Sequence, residues 1–173
     1  MKSVAFLFRS AYGGLTKPMW LLSLAMLINR SGTMVIFFLS VYLKQELHFS
    51  LEHIGVTLAM FGAGSLLGVF IGGRLVDKSG YYPVMLWSLI TGGIMFLIVA
   101  QLTTYFSLCA GLFVLSAFGE AFRPANMAAV SYYSSPSTYT RSVSLNRLAV
   151  NLGFSIGPAI GGFLAAYNYK LIF

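Results

Sequence analysis

Of the 173 residues only four are acidic, and one of these, Glu120, stands inside a long apolar run. Arg123 follows it one helical turn later, and Pro124 comes next. A second isolated cation, Arg30, lies midway along an earlier apolar run. A charge at the centre of a bilayer costs about 2.5–3.5 kcal/mol on insertion scales, so it normally faces a partner or a wet cavity. A carboxyl so placed has two available forms, because desolvation favours the neutral acid and a nearby guanidinium favours the carboxylate. That is the chemistry of proton carriage, with Arg30 or Arg123 switching Glu120 between forms. A plainer alternative stands beside it. Glu120 and Arg123, at i and i+3, can neutralise each other on one helix. Pro124, which removes a backbone donor, also frees the carbonyl of residue 120 for Arg123.

Other polar groups divide in the same way. Asn29, Asn126 and Asn151 can line a substrate path or tie helices together, and Arg147 reads as an anchor snorkelling towards water. His48 and His53 have no Cys or Asp at ligand spacing, and Cys109 lies alone in an apolar run, so neither a metal site nor a disulfide framework is expected. There is no nucleophile–base pair and no phosphate-binding loop, so neither an enzyme nor a cofactor is expected. The net charge of +7 is scattered rather than gathered into a basic run, which argues against nucleic acid as a partner.

The elements that position these residues follow from composition. Hydrophobic residues make up 58% and charged residues 9%, with a mean hydropathy of +0.82, whereas a soluble domain is typically about 25% charged. Such a chain faces lipid over most of its perimeter. Five apolar segments, approximately 19–43, 54–76, 83–102, 105–133 and 142–167, are each long enough to cross the hydrocarbon as a helix. They are unbroken rather than alternating, so an all-α membrane protein is expected. Ser50 is a candidate N-cap with Glu52 in the first turn behind it, and Gly80 with Pro83 marks a tight turn. Residues 1–17 are too weakly apolar for a signal peptide. With the N-terminus cytoplasmic, Lys2, Arg9, Lys17, Arg74, Lys78 and Arg141 fall inside and only Lys44 and Lys170 outside, as the positive-inside rule prefers. The expected location is the plasma (inner) membrane.

Two motifs carry a family resemblance. After the second span, Gly73-Arg74-Leu75-Val76-Asp77-Lys78-Ser79-Gly80 resembles the major facilitator signature G-x-L-x-D-K/R-x-G, which joins the second and third helices on the cytoplasmic side. The signature usually continues with two basic residues; here they are Tyr81 and Tyr82. In the fifth span, Gly153-Phe154-Ser155-Ile156-Gly157-Pro158-Ala159-Ile160-Gly161-Gly162 is similar to the family's fifth-helix antiporter motif, with Ser144 where the fuller motif has a further Gly. Glycines let a neighbouring helix approach closely, and Pro158 can bend its helix.

The resemblance covers essentially the whole chain, as helices one to five of the usual twelve, and implies most of an N-terminal six-helix bundle. It implies that the gating motif Gly73, Asp77, Lys78 and Gly80 latches one state through Asp77 near another helix's N-terminus. It also implies that the first and fourth helices line a central cavity, bringing Arg30 and Glu120 to similar depth, close enough to pair. Arg30, Glu120, Arg123, Asn29 and Asn126 are the candidate coupling or cavity residues. Residues 170–173 read as the start of a sixth helix, so the chain is expected to be a fragment whose partner is a C-terminal half. The function implied is alternating-access transport, most simply proton-coupled efflux of a small molecule. A proton-coupled nutrient or peptide symporter and a non-transporting assembly protein are the alternatives.

Overall fold

The computed structural model describes residues 11–167 and 169–172, and among these residues it is helical apart from short connectors, without strands. Lys2 and Arg9 lie outside the described residues. The helices are α1 (Lys17–Ser31), α2 (Met34–Gln45), α3 (Leu51–Ser79), α4 (Tyr81–Val99), α5 (Tyr105–Tyr132) and α6 (Tyr139–Tyr167), followed by a short 3-10 turn, Tyr169–Ile172. Five stretches are long and apolar enough to cross a membrane, α1 and α2 together forming the first of them. Large apolar side chains such as Leu66, Leu97, Phe106 and Phe163 stand exposed on the perimeter, the inside-out distribution that lipid rather than water rewards.

The first span is not one continuous helix. It breaks at Gly32 and Thr33, one residue beyond the Arg30–Ser31 end of α1 that carries the guanidinium. Ser31 Oγ donates to the Leu27 carbonyl at 2.9 Å and Thr33 Oγ1 to the Arg30 carbonyl at 2.5 Å. Hydroxyls that capture carbonyls compete with the helical ladder, and a glycine at the same point adds its own cost to helix continuity.

The other boundaries have local causes. Ser50 caps α3, its hydroxyl accepting the His53 N–H at 3.3 Å, and Glu52 stands in the first turn, where a negative charge suits the helix dipole. Gly80, at φ +82°, closes α3 and opens α4 within a single residue, a conformation strained for any residue with a Cβ. Pro83 sits in the first turn of α4, where its missing N–H is not needed.

Two packed groups emerge. α3 and α4 both lie on α5, while α1 and α2 lie on α6, and contact between the groups is sparser. Each group has a glycine ridge. In α3, Gly64, Gly68 and Gly72 are buried, and a Cβ on them would strike the backbone of Phe113, Ala117 and Ala121 on α5. In α6, Gly153, Gly157 and Gly161 receive Arg30, Ser31 and Phe38 in the same way. Small residues at intervals of four let helices meet backbone to backbone, which gains dispersion where lipid offers no hydrophobic drive.

Candidate substrate and coupling site

The two groups are joined at mid-span by charge. Arg30 Nη1 meets Glu120 Oε1 at 3.0 Å, and Arg123 Nη1 meets Glu120 Oε2 at 3.3 Å. The Arg30 and Glu120 side chains are only 7% and 14% exposed, whereas Arg123 is 59% exposed. Glu120 therefore holds one sheltered guanidinium and one accessible guanidinium, each on its own oxygen. Arg30 Nε also donates to Asn29 Oδ1 at 3.2 Å, which satisfies a further donor of the buried cation.

The sequence does much to place Arg30. Its own Cβ sits where a side chain on Gly153 would be, at 2.6 Å, and the Ser31 carbonyl lies 2.5 Å from the corresponding point on Gly157. The glycine stripe of α6 thus seats α1 at the turn that carries the guanidinium. Gly162 has only the tip of Phe38 near it, at 3.7 Å, and Pro158 is half-buried in the same helix.

Beside the pair lies a small cavity of about 50 Å³ lined by Asn29, Gly32, Thr33, Ser116, Gly119 and Glu120 among apolar neighbours. The broken backbone of the first span forms part of its wall, the setting in which irregular backbone is tolerated at membrane depth. Buried apolar layers flank the charges. Leu39, Tyr42, Leu43, Ile54, Leu108 and Leu112 lie on one side, and Met19, Leu22, Ala129 and Val130 on the other.

Asn126 is placed differently from Asn29. It is fully buried, and its Nδ2 donates to the Leu22 carbonyl on α1 at 3.3 Å, a tether between the two helix groups. Arg147, which the sequence suggests is an isolated anchor, instead lines a larger hollow with Arg30, Arg123, Asn146 and Asn151. The signal for this is faint but present: Arg147, Asn151 and Phe154 recur at the spacing of one helix face.

At the α3–α4 turn, Asp77, Lys78 and Gly80 are exposed, and Asp77 enters no ion pair among the described residues. Space around Gly73 is open. Tyr81 packs against Tyr132 at a tilt and meets Tyr133 edge-on at the end of α5, with ring centroids 5.4 and 6.1 Å apart. An aromatic cluster thus stands where the signature usually has basic residues.

A helical bundle of five apolar spans, with charges held at mid-span beside a cavity, has the architecture of a multi-pass membrane protein. Residues 20–173 match the family model of the Major Facilitator Superfamily, and the chain belongs to that superfamily. It is similar to an uncharacterized MFS-type transporter, YceJ, of Bacillus subtilis (strain 168), with 27% identity over 142 residues, covering 82% of this chain and 36% of that protein. The multidrug resistance protein MdtG of Proteus mirabilis (strain HI4320) is 29% identical over 120 residues, 69% of this chain and 30% of its own length. The tetracycline resistance protein, class H, of Pasteurella multocida is 31% identical over 121 residues, 70% of this chain and 30% of its own length. The chain thus spans about a third of the length of these curated relatives. No solved structure gives a significant match.

Proposed function

We propose that this chain is the N-terminal part of a proton-coupled exporter of small molecules, working by alternating access with a C-terminal half. The observation that carries the reading is Glu120, bridged at mid-span between buried Arg30 and exposed Arg123. Protonating Glu120 removes the charge that both guanidinium groups contact. The tie between α1 and α5 then loosens, and with it the main polar link between the two helix groups. Deprotonation restores the link. A proton taken up on one side of the membrane and released on the other is thereby converted into a change in how the groups pack. The glycine stripe of α6, similar to an antiporter motif, and relatives named for drug resistance support export as the direction.

The test uses inverted membrane vesicles containing the transporter, energised with a pH gradient and challenged with a panel of antimicrobial compounds. Compounds that are substrates should evoke proton movement, and Glu120→Gln should reduce that movement to background. Coupling that survives in Glu120→Gln removes Glu120 as the carrier. If no compound moves protons in the unaltered protein, export by antiport is not its activity.

A further inference from the structure

Three guanidinium groups from three different helices line one hollow, and the described residues supply them with one carboxylate. The hollow, of about 420 Å³, is lined by Arg30 on α1, Arg123 on α5 and Arg147 on α6, with Asn146 and Asn151 between them. Met26, Met127, Val150 and Phe154 complete it. Met127 and Arg147 also line a second hollow of about 480 Å³, with Tyr139, Thr140, Val143 and Ser144, at the end of the bundle where α6 begins. Glu120 is already engaged by Arg30 and Arg123. Arg147 makes no ion pair and no side-chain hydrogen bond among the described residues. Asn146, only 5% exposed, lines the same space with its amide oxygen unpartnered.

We infer that this groove is a binding site for small amphipathic organic anions, with Arg147 as the residue that receives the acidic head group. The inference rests on the export reading, because it treats the groove as the route by which substrate reaches Glu120. Charge decides the sign of the ligand. With two cations for every charge that Glu120 can offset and one guanidinium wholly unmatched, a cation in the groove meets repulsion and an anion meets attraction strengthened by the low-dielectric wall. Geometry decides the rest. A guanidinium presents a planar fork that suits carboxylate, sulfonate or phosphonate oxygens. Phe154, whose ring centroid lies 6.0 Å from the Arg30 guanidinium carbon, and the methionines offer an apolar bed for the remainder, methionine being able to reshape around unlike ligands. The volume falls in the range of pockets that enclose a drug-sized molecule.

The experiment is equilibrium binding of two probes of like shape and opposite charge, 2-naphthoate and 2-naphthylmethylammonium, to the transporter in nanodiscs of uncharged lipid. Naphthoate should bind at least about ten-fold more tightly than the ammonium probe, and its affinity should fall with added salt. Arg147→Gln should weaken naphthoate about ten-fold without weakening the ammonium probe, and Arg147→Lys should restore part of the loss. Arg141→Gln, an exposed charge removed outside the groove, should change neither, which separates a local effect from one of net charge. Equal affinities for the two probes, or naphthoate binding indifferent to Arg147→Gln, overturn the inference whether or not vesicles show proton-coupled export. Charge-selective, Arg147-dependent binding without proton-coupled export would keep the anion site and discard the proposed function.

Discussion

At the residue scale, the proposed function makes the pair formed by Arg30 and Glu120 a coupling device rather than a source of stability. Two charges taken from water recover their desolvation cost only in good geometry, and removing one partner leaves the other stranded. Arg30→Met should therefore destabilise the bundle by about 3 kcal/mol, read as a fall in the thermal midpoint in detergent. The double variant Arg30→Met with Glu120→Leu should recover most of that stability while remaining without proton coupling. If the double variant is no more stable than the single one, the pair is a structural brace. Asn126 offers the contrast. It is fully buried and holds the Leu22 carbonyl, so Asn126→Ala is expected to lower stability by about 1 kcal/mol, as interhelical hydrogen bonds in membranes do, and to leave the proton stoichiometry unchanged. Of the four charged groups at the site, the sequence made Glu120, Arg30 and Arg123 legible because an ionised group in an apolar span is rare and costly. It gave no such warning for Arg147, since a cation near a helix end can equally be a snorkelling anchor.

At the scale of elements, the glycine ridges decide where helices can lie. Gly68 faces the backbone of Ala117, which cannot yield as a flexible side chain could. Gly68→Val should cost about 3 kcal/mol or more through overpacking, separating α3 from α5 and lowering the yield of folded protein. Gly62, on the same helix with open space around it, gives the opposite outcome: Gly62→Ala should stabilise by about 0.5–1 kcal/mol through helix propensity alone. Thermal melts of the two variants side by side check both. Gly157→Ala is a subtler case. Its methyl would press on the Ser31 carbonyl, one residue beyond Arg30. The expected result is a folded protein with reduced coupling, measured as fewer protons moved per substrate, because α1 is pushed away from its seat and Arg30 from Glu120. Segment lengths were open to sequence reasoning, but the break in the first span was not. Gly32 and Thr33 are tolerated in many membrane helices, and only the bonds from the Ser31 and Thr33 hydroxyls to the Leu27 and Arg30 carbonyls show that the ladder parts there.

For the whole molecule, the distribution of charge predicts orientation. Lys17, Arg74, Lys78 and Arg141 gather at one end of the bundle, and Lys44 lies at the other. Single cysteines introduced at Ser79 and Ser137 are expected to react with an impermeant maleimide only from the cytoplasmic side, and one at His48 only from outside. Native Cys109 is buried, with its sulfur 3.4 Å from Thr57 Oγ1, so background labelling should be low. Labelling of Ser79→Cys from outside would reverse the topology and, with it, the side from which the arginine-lined groove opens.

Sequence alone determined that the chain is helical and lies in a membrane, because 9% charge and five long apolar runs leave no other way to satisfy the backbone and the surface. It also marked Glu120, Arg30 and Arg123 as functional candidates and carried the two motifs, after the second span and in the fifth, that together resemble the family's. What it could not determine was which polar groups meet. Helix rotation and register are set by side-chain packing between segments far apart in the chain, and a one-residue turn about the axis moves a side chain by about 100°. The family resemblance already brought Arg30 and Glu120 to similar depth; only the tertiary structure set that contact at 3.0 Å, buried Asn126 beside Leu22, and brought Arg147 to the same hollow as the other two arginines.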